Sequence, residues 1–268
     1  MRSLPSQKGT PLSIKTAILN GVATIEIARP EKKNALTVAM YQALSDALRA
    51  ATAEPSVRAV LITGQPGIFT AGNDLEDFMA RAPDPDVDPM ETPVFRFMRS
   101  LVECDKPVVA AVTGAAIGIG TTMLLHCDLV YVSDEARLAM PFVGLGLVPE
   151  FAASLLVART TGHVRAAEKL LLGEPFTAAQ AVECGLANAV LPAGEVVAHA
   201  RRVAERFLAL PPGAVRESKQ LMRGHDRAQV LQAIRDEAEV FTRRLRSPEA
   251  QEAFQAFFQK RKPDFSRF

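Results

Sequence analysis

The chain has 268 residues, of which 48% are hydrophobic and 23% charged, and its formal net charge is +1 at pH 7. Such a composition is typical of a soluble globular protein with a substantial core. A balanced charge produces no long-range attraction to nucleic acid or to an anionic membrane. The longest uncharged apolar stretch, Pro107 to Cys127, is interrupted by glycines and threonines and does not predict a membrane span.

The N-terminus and the cysteines indicate where the protein resides. The first twelve residues contain no apolar segment of the kind that directs export. Cys104, Cys127 and Cys184 are widely spaced and form no CxxC pair, which is typical of buried, reduced thiols in cytosolic proteins. We therefore expect a cytoplasmic protein.

The first predicted elements alternate between strand and helix. Residues 22–27 alternate apolar and polar side chains, which predicts a strand. Thr37 is a good N-cap for an amphipathic helix that ends before Pro55. The apolar run Val57–Thr63 then predicts a buried strand. The Asp/Pro-rich segment Arg81–Pro93 predicts a mobile loop, and its aspartates lack the glycine and the final glutamate of a calcium loop.

The same order of strand, glycine turn and helix returns in the middle of the chain. A strand over Val108–Val112 precedes a glycine turn and a helix over Thr121–His126, and further strands are predicted at Leu129–Val132 and Ala187–Leu191. Thr177 begins a capping box that opens another helix, which ends before Gly185. Repeated strand–strand–helix units over residues 1–195 predict an α/β domain.

From residue 196 onward the pattern is purely helical. Ser247 and Pro248 provide an N-cap and a first-turn proline for the last helix. We expect this region, residues 196–268, to pack against another subunit, although its helices can instead cover their own domain. The predicted helices are Val196–Leu210, Gly213–Arg223, Arg227–Arg246 and Pro248–Lys260, with apolar side chains at Phe241, Leu245, Phe254, Phe257 and Phe258.

Two glycine-rich turns follow buried strands and are candidates for ligand binding. The first spans Gly67–Leu75, and the second spans Gly114–Thr122 and opens a helix. Small residues let backbone N–H groups face a ligand, and the start of a helix favours negative charge. The second turn lacks both the third glycine of a dinucleotide site and the Gly-Lys-Ser/Thr of a phosphate loop. Each turn alone is equally consistent with a purely structural role.

Together, the two turns form a specific pattern. Phe69-x-Ala-Gly-x-Asp74, Lys106-Pro-Val-Val-Ala-Ala-Val-x-Gly114 and Cys127-Asp-Leu-Val-Tyr131 occur in this order, with Leu145-Gly-Leu-Val-Pro149 further on. This pattern resembles the crotonase family of enoyl-CoA hydratases and isomerases, from about residue 14 to Pro263. The resemblance implies a spiral of ββα units, a C-terminal trimerisation region, and a homotrimer or a dimer of trimers.

The resemblance also implies how substrate is held. Backbone amides of Asn73 and Ile119 would form an oxyanion hole for the thioester oxygen of an acyl-CoA, with no metal and no cofactor beyond the coenzyme A of the substrate. The coenzyme A would lie against the segment after Arg29-Pro30. The expected contacts are Glu31, Lys32, Lys33, Ala71 and Asp74, with Lys260 and Lys262 as a further basic group.

The positions of the acidic residues narrow the choice of reaction. Family hydratases carry two glutamates at positions that are here Thr122 and Phe142, which with Met140 are expected to line the acyl pocket. Glu150, after Leu-Val-Pro149, stands where the resembling peroxisomal-type Δ3,Δ2-enoyl-CoA isomerases carry a single catalytic glutamate. Its flanking apolar residues would raise its pKa by desolvation. By residue type alone, Glu150 is equally a solvent-facing acid near a helix start.

Three functions remain open at this stage. The leading prediction is an enoyl-CoA isomerase in which Glu150 shuttles a proton between two carbons. The first alternative is a hydratase-type lyase in which Glu150 alone orients water, or another acyl-CoA reaction that uses Glu150. The second is a non-catalytic acyl-CoA-binding scaffold that keeps both glycine turns.

Overall fold

The computed structural model describes residues 13–79 and 88–268. The N-terminal segment and most of the predicted loop Arg81–Pro93 therefore lie outside the described residues. From residue 88 a short 3-10 turn, Pro89–Glu91, leads into a helix that begins at Pro93.

The strands form two sheets. A six-stranded sheet has the order β1-β2-β3-β5-β7-β10, and a four-stranded sheet has the order β4-β6-β8-β9. The strands are β1 (Ile14–Leu19), β2 (Val22–Ile27), β3 (Ala59–Thr63), β4 (Ile68–Thr70), β5 (Val108–Val112), β6 (Ala115–Ile117), β7 (Leu129–Ser133), β8 (Arg137–Ala139), β9 (Phe176–Thr177) and β10 (Ala189–Leu191).

The helices lie between and after the strands. Short 3-10 segments follow several of them, and a π-helical turn, Glu168–Leu172, extends the sixth. The helices are α1 (Val38–Ala53), α2 (Leu75–Met79), α3 (Pro93–Glu103), α4 (Ile119–Thr122), α5 (Ala153–Thr161), α6 (His163–Ala167), α7 (Ala178–Glu183), α8 (Val196–Arg206), α9 (Pro212–Leu245) and α10 (Pro248–Phe258).

The chain alternates between the two sheets, which confirms the predicted repeat. β3, β5 and β7 join the larger sheet, and the strands that follow them, β4, β6 and β8, join the smaller one. All neighbours in the larger sheet are parallel except the antiparallel edge pair of β1 and β2. Strands β3 and β5 are buried along their whole length, as expected of parallel strands that are covered on both faces.

Two packed layers enclose the larger sheet. One face contributes to the main core, in which α1 and α3 pack on each other. The other face is covered by α8 through Val196, Ala200 and Ala204. Because α8 covers the second face of the larger sheet, it packs as part of the α/β region. The division of the chain at residue 195 stays a prediction.

The predicted caps are confirmed. The Thr37 hydroxyl accepts from the Met40 amide at 3.3 Å, Thr177 and Gln180 form the reciprocal capping box, and Ser247 caps α10. Local hydrogen bonding of this kind requires only residues a few positions apart, so the sequence specifies it directly.

Several predicted boundaries were wrong. The two helices predicted over Gly213–Arg223 and Arg227–Arg246 are one continuous helix of 34 residues, α9. The helix expected at Thr121–His126 begins at Ile119 and turns into a 3-10 helix at Met123. The strand expected from Ala187 begins at Ala189. Within the described ranges, no helix combines the length and the apolarity needed to cross a membrane.

Candidate active site

The first glycine turn presents the Asn73 amide on its free side. Leu36 pairs with the two residues that flank Asn73. Its N–H donates to the Gly72 carbonyl at 2.8 Å, and its carbonyl accepts from the Asp74 amide at 2.9 Å. Successive backbone groups of an extended segment point to opposite sides. The N–H of Asn73 therefore points away from Leu36.

The second glycine turn presents the Ile119 amide. Gly118 has a φ of 57°, and its N–H donates to the Ala139 carbonyl at 2.8 Å. Ile119 is the first residue of α4, and a helix supplies no internal acceptor for the N–H groups of its first turn. The Ile119 amide thus lies at the positive end of the helix backbone, where negative charge is favoured.

Glycines bring the two turns into contact. A Cβ at Gly72, whose φ is +89°, would lie 2.8 Å from the Ile117 carbonyl oxygen. A Cβ at Gly120 would lie 2.5 Å from the Thr70 methyl group. Only glycine leaves room for this close approach. The two turns are therefore in direct contact. That the Asn73 and Ile119 amides together hold an oxyanion stays a prediction.

An ion pair braces the first turn from behind. The Arg29 guanidinium contacts the Asp74 carboxylate at 2.6 Å and also donates to the Ala35 carbonyl. Burial alone would raise the pKa of Asp74, but hydrogen bonds from Arg29 and from the Asp77 amide lower it. Asp74 is therefore ionised and engaged inside the protein, and its predicted contact with coenzyme A stays a prediction.

The predicted coenzyme A segment lies beside this turn. The Ala71 amide donates to the Lys33 carbonyl at 3.0 Å, so the backbone after Pro30 runs along the first turn. Glu31, Lys32 and Lys33 are exposed, and Lys32 pairs with Glu76 at 3.1 Å. Beyond the end of α10, Lys260 and Lys262 are also exposed. Their contact with a ligand stays a prediction.

Glu150 is buried in an apolar environment. Its residue is 5% exposed, and its Oε1 has no hydrogen-bond partner. Burial, and secondarily the nearby charge of Glu237, raises the pKa of Glu150 to about 8. The alternative of a solvent-facing acid is wrong, because Glu150 and the three apolar residues that follow it are buried. Phe151, Ala152 and Ala153 are all fully buried.

Tyr41 connects Glu150 with the first turn. Its hydroxyl donates to the Asn73 side-chain oxygen, and its ring lies 5.7 Å from that of Phe97, which contacts Phe151 in turn. Burial raises the pKa of Tyr41, and the charge of Glu150 raises it further. The Glu150 carboxyl group is therefore close enough to interact electrostatically with the Tyr41 hydroxyl, which in turn bonds the first turn.

The backbone after Glu150 is strained. Phe151 and Ala152 have φ values of 64° and 56°, a left-handed conformation that costs about 1–2 kcal/mol for each residue with a side chain. The Phe151 carbonyl accepts a hydrogen bond from Nε2 of His126 at 2.8 Å, and the rings of Phe151 and His126 stack with their centroids 4.0 Å apart. Burial lowers the pKa of His126 to about 3, so the ring is neutral.

Glu237 of α9 holds the other side of this turn, and the sequence interpretation missed it. Its carboxylate accepts from the Ala152 amide at 2.6 Å, from the Ser154 amide at 2.9 Å and from the Ser154 hydroxyl. A signal was available, because Glu237 lies on the same helix face as the buried Ile234 and Phe241. A carboxylate on an apolar face needs a specific partner.

The predicted acyl pocket residues are all buried. Phe142 lies next to the second turn, since its ring is 3.9 Å from the position of a Cβ on Gly118. Thr122 and Met140 are completely buried, and the Thr122 hydroxyl has no hydrogen-bond partner. In the part of the chain that the structure describes, no group of His, Cys, Asp or Glu side chains could hold a metal ion.

Comparison with known proteins identifies the family. The model of the enoyl-CoA hydratase/isomerase family matches residues 17–267. The chain belongs to this family. Its members act on acyl-CoA thioesters, which fits the paired amides of the two glycine turns, and the implied crotonase fold is confirmed by solved structures of the family.

Individual relatives carry both reaction names. The chain is 30% identical to 2,3-dehydroadipyl-CoA hydratase of Escherichia coli, covering 91% of this chain and 94% of the relative. It is 32% identical to the peroxisomal enoyl-CoA delta isomerase 3 of Mus musculus, covering 91% and 77%. The solved structure of Pseudomonas aeruginosa OdaA is 51% identical, with a TM-score of 0.88 and coverage of 91% and 98%.

Proposed function

We propose that this protein is an enoyl-CoA isomerase in which Glu150 is the only proton-transferring carboxylate. Glu150 removes a proton from C2 of a 3-enoyl-CoA, and the electron pair moves onto the thioester oxygen. The Asn73 and Ile119 amides donate hydrogen bonds to that oxygen. Protonated Glu150 then returns the proton to C4, and the double bond lies between C2 and C3.

The state of Glu150 carries this proposal. A general base works best when its pKa lies near the working pH, because it must both accept the proton and release it. A carboxyl group with a pKa of about 8 and a free Oε1 meets this requirement. The site also lacks a second carboxyl at the positions of Thr122 and Phe142, so a one-carboxylate reaction fits best.

A hydratase reaction is the second candidate. Adding water requires a group that activates the water and a group that protonates carbon. The buried Thr122 hydroxyl, which has no protein partner, can hold a water molecule that Glu150 activates. A scaffold that binds acyl-CoA without turnover is the third candidate, and for it the ionisation of Glu150 would be irrelevant.

One experiment separates the three. The wild type, Glu150→Gln and the exposed control Glu135→Gln are incubated with 3-enoyl-CoA and with 2-enoyl-CoA, and conjugation and hydration are followed. We expect isomerisation by the wild type and the control, and a loss of about 10³-fold in kcat for Glu150→Gln.

Each of the other outcomes contradicts the proposal. Hydration that survives Glu150→Gln would mean that another group is the base. Hydration without isomerisation in the wild type would establish the second candidate. Tight binding of both substrates without turnover would establish the scaffold.

The subunit arrangement and the location are also proposals. Phe257 and Phe258 are 57% and 45% exposed on α10, whereas Phe241 and Phe254 are buried within the chain. Exposed aromatic side chains of this size favour contact with another subunit, so we propose a homotrimer or a dimer of trimers, which sedimentation would test. The cytoplasmic location rests on the three free cysteines, all of which are buried.

A further inference from the structure

The turn after Glu150 requires support from outside its own sequence. Phe151 and Ala152 are consecutive residues with positive φ, and neither is glycine or asparagine. Such a conformation persists only where the surrounding structure holds it. The orientation of the Glu150 side chain depends on this turn, because the strained residues follow it directly.

The strongest support comes from α9. The two oxygens of Glu237 accept three hydrogen bonds from Ala152 and Ser154, across a sequence separation of more than eighty residues. These donors are the N-cap residue and the first turn of α5, where a carboxylate is favoured by the helix backbone. Glu237 thus caps a helix that has no side-chain cap of its own.

We infer that Glu237 is a positioning residue for the proposed base: by accepting hydrogen bonds from Ala152 and Ser154, it fixes the strained turn that follows Glu150 and, through that turn, the position of the Glu150 carboxyl. The inference rests on the proposed function, since it concerns the base of that reaction. It assigns a role in the site to α9, a helix that supplies neither oxyanion turn.

Glu237 also acts on Glu150 through its charge. It accepts three hydrogen bonds, whereas Oε1 of Glu150 accepts none, so Glu237 ionises first. Burial raises the pKa of Glu237 to about 7 against the effect of those donors. Its negative charge then opposes ionisation of Glu150 and raises the pKa of that group.

The other titratable groups around the pair do not compete with this effect. Burial raises the pKa of Tyr41 on α1, and His126, stacked on Phe151, is neutral above a pKa of about 3. Asp236, which precedes Glu237 on α9, adds negative charge and raises the pKa of Glu237. Between pH 6 and 9, the ionisations of Glu237 and Glu150 therefore dominate.

The test compares Glu237→Gln with Glu239→Gln, the same change at an exposed position on the same helix. Glutamine keeps the size of the side chain but loses the charge and one acceptor. We expect kcat for 3-enoyl-CoA isomerisation to fall about 10²-fold, because a displaced base misses its geometry. KM should change by less than about threefold, and the pKa seen in kcat/KM should move below that of the wild type. The control should match the wild type in all three.

A second variant covers the case in which Glu237→Gln does not fold. Glu237→Asp keeps the charge but is one methylene too short to reach both amides. It should lose kcat while its kcat/KM profile keeps the wild-type pKa. Wild-type kcat and an unchanged pH profile in a folded Glu237→Gln, or wild-type kcat in Glu237→Asp if only that variant folds, would overturn the inference.

Glu150→Gln, measured in parallel, distinguishes the two proposals. If Glu150→Gln is inactive while the Glu237 variants behave as wild type, only the positioning role fails. If Glu150→Gln keeps its isomerase activity, the proposed base is wrong, and the positioning inference fails with it.

Discussion

The two halves of the candidate site are built by different means. The two glycine turns are held by main-chain hydrogen bonds to Leu36 and Ala139 and by the close approach that Gly72 permits. The turn that carries Glu150 is strained, and side chains from distant parts of the chain, His126 and Glu237, hold it. One part of the candidate site is thus fixed by main-chain contacts, whereas the other depends on side chains that are far apart in the sequence.

The largest expected effect that distinguishes the two parts is on how the free energy of unfolding depends on pH. The pKa of Glu150 is about 8 in the folded protein and close to 4.5 in the unfolded chain, so between these values the folded state binds the extra proton. The free energy of unfolding should therefore fall as pH rises from about 5 to 8, by about 4 kcal/mol from this group. Glu150→Gln should lack this decrease.

The measurement is urea unfolding of both proteins at several pH values. Ionisation of Glu237 also lowers the free energy of unfolding as pH rises from about 4.5 to about 7. Because Glu237 is present in both proteins, the difference between their two pH curves reports Glu150. Parallel curves for the wild type and Glu150→Gln would show that folding does not raise the pKa of Glu150.

Substitution of Gly72 tests the part of the site that is built from the two glycine turns. Gly72→Ala places a methyl group 2.8 Å from the Ile117 carbonyl oxygen and separates the two turns. We expect kcat to fall about 10²-fold, the usual effect of losing one oxyanion donor. Gly162→Ala is the matched control, because Gly162 has a φ of +80° but open space around its Cβ.

Both glycine variants should lose about 1–3 kcal/mol of stability to the positive φ, as thermal melts will report. Only Gly72→Ala should lose activity in steady-state assays. Equal kcat values for the two variants would show that contact between the turns is not needed for the reaction.

The smallest effects should come from the side chains that connect the halves. Tyr41→Phe removes the hydroxyl that bonds Asn73, and Asn73→Ala removes its acceptor but keeps the amide N–H. Because the oxyanion donors belong to the backbone, each change should lower kcat less than tenfold, about 1.4 kcal/mol. A loss of 10²-fold in Asn73→Ala would instead make its side chain a donor to the substrate.

The sequence predicted the local features and missed the distant ones. Thr37 and Thr177 were placed correctly because a cap depends on residues three positions away. Separate helices were predicted over Gly213–Arg223 and Arg227–Arg246, but α9 continues through the gap between them; a single glycine costs a helix only about 1 kcal/mol. Strands β4, β6 and β8 have three residues each, too few for a periodic pattern.

The same contrast between local and distant features applies to the predictions of the candidate site. Asn73 and Ile119 were predicted from the family resemblance, and the structure brings their two turns into contact; their role as oxyanion donors stays a prediction. The burial of Glu150 was expected from Phe151 and its neighbours, and it is confirmed. Glu237 was missed because its partner residues are more than eighty positions away, and such a pairing arises only from the fold.

The contact between the glycine turns limits how the family's genes can change. Any single codon change at Gly72 or Gly120 that yields another residue adds at least one carbon where a neighbouring atom lies within 2.8 Å. The amides of Asn73 and Ile119, by contrast, survive almost any side chain at their own positions. The side chains at these two positions can therefore change while the two glycines stay in place.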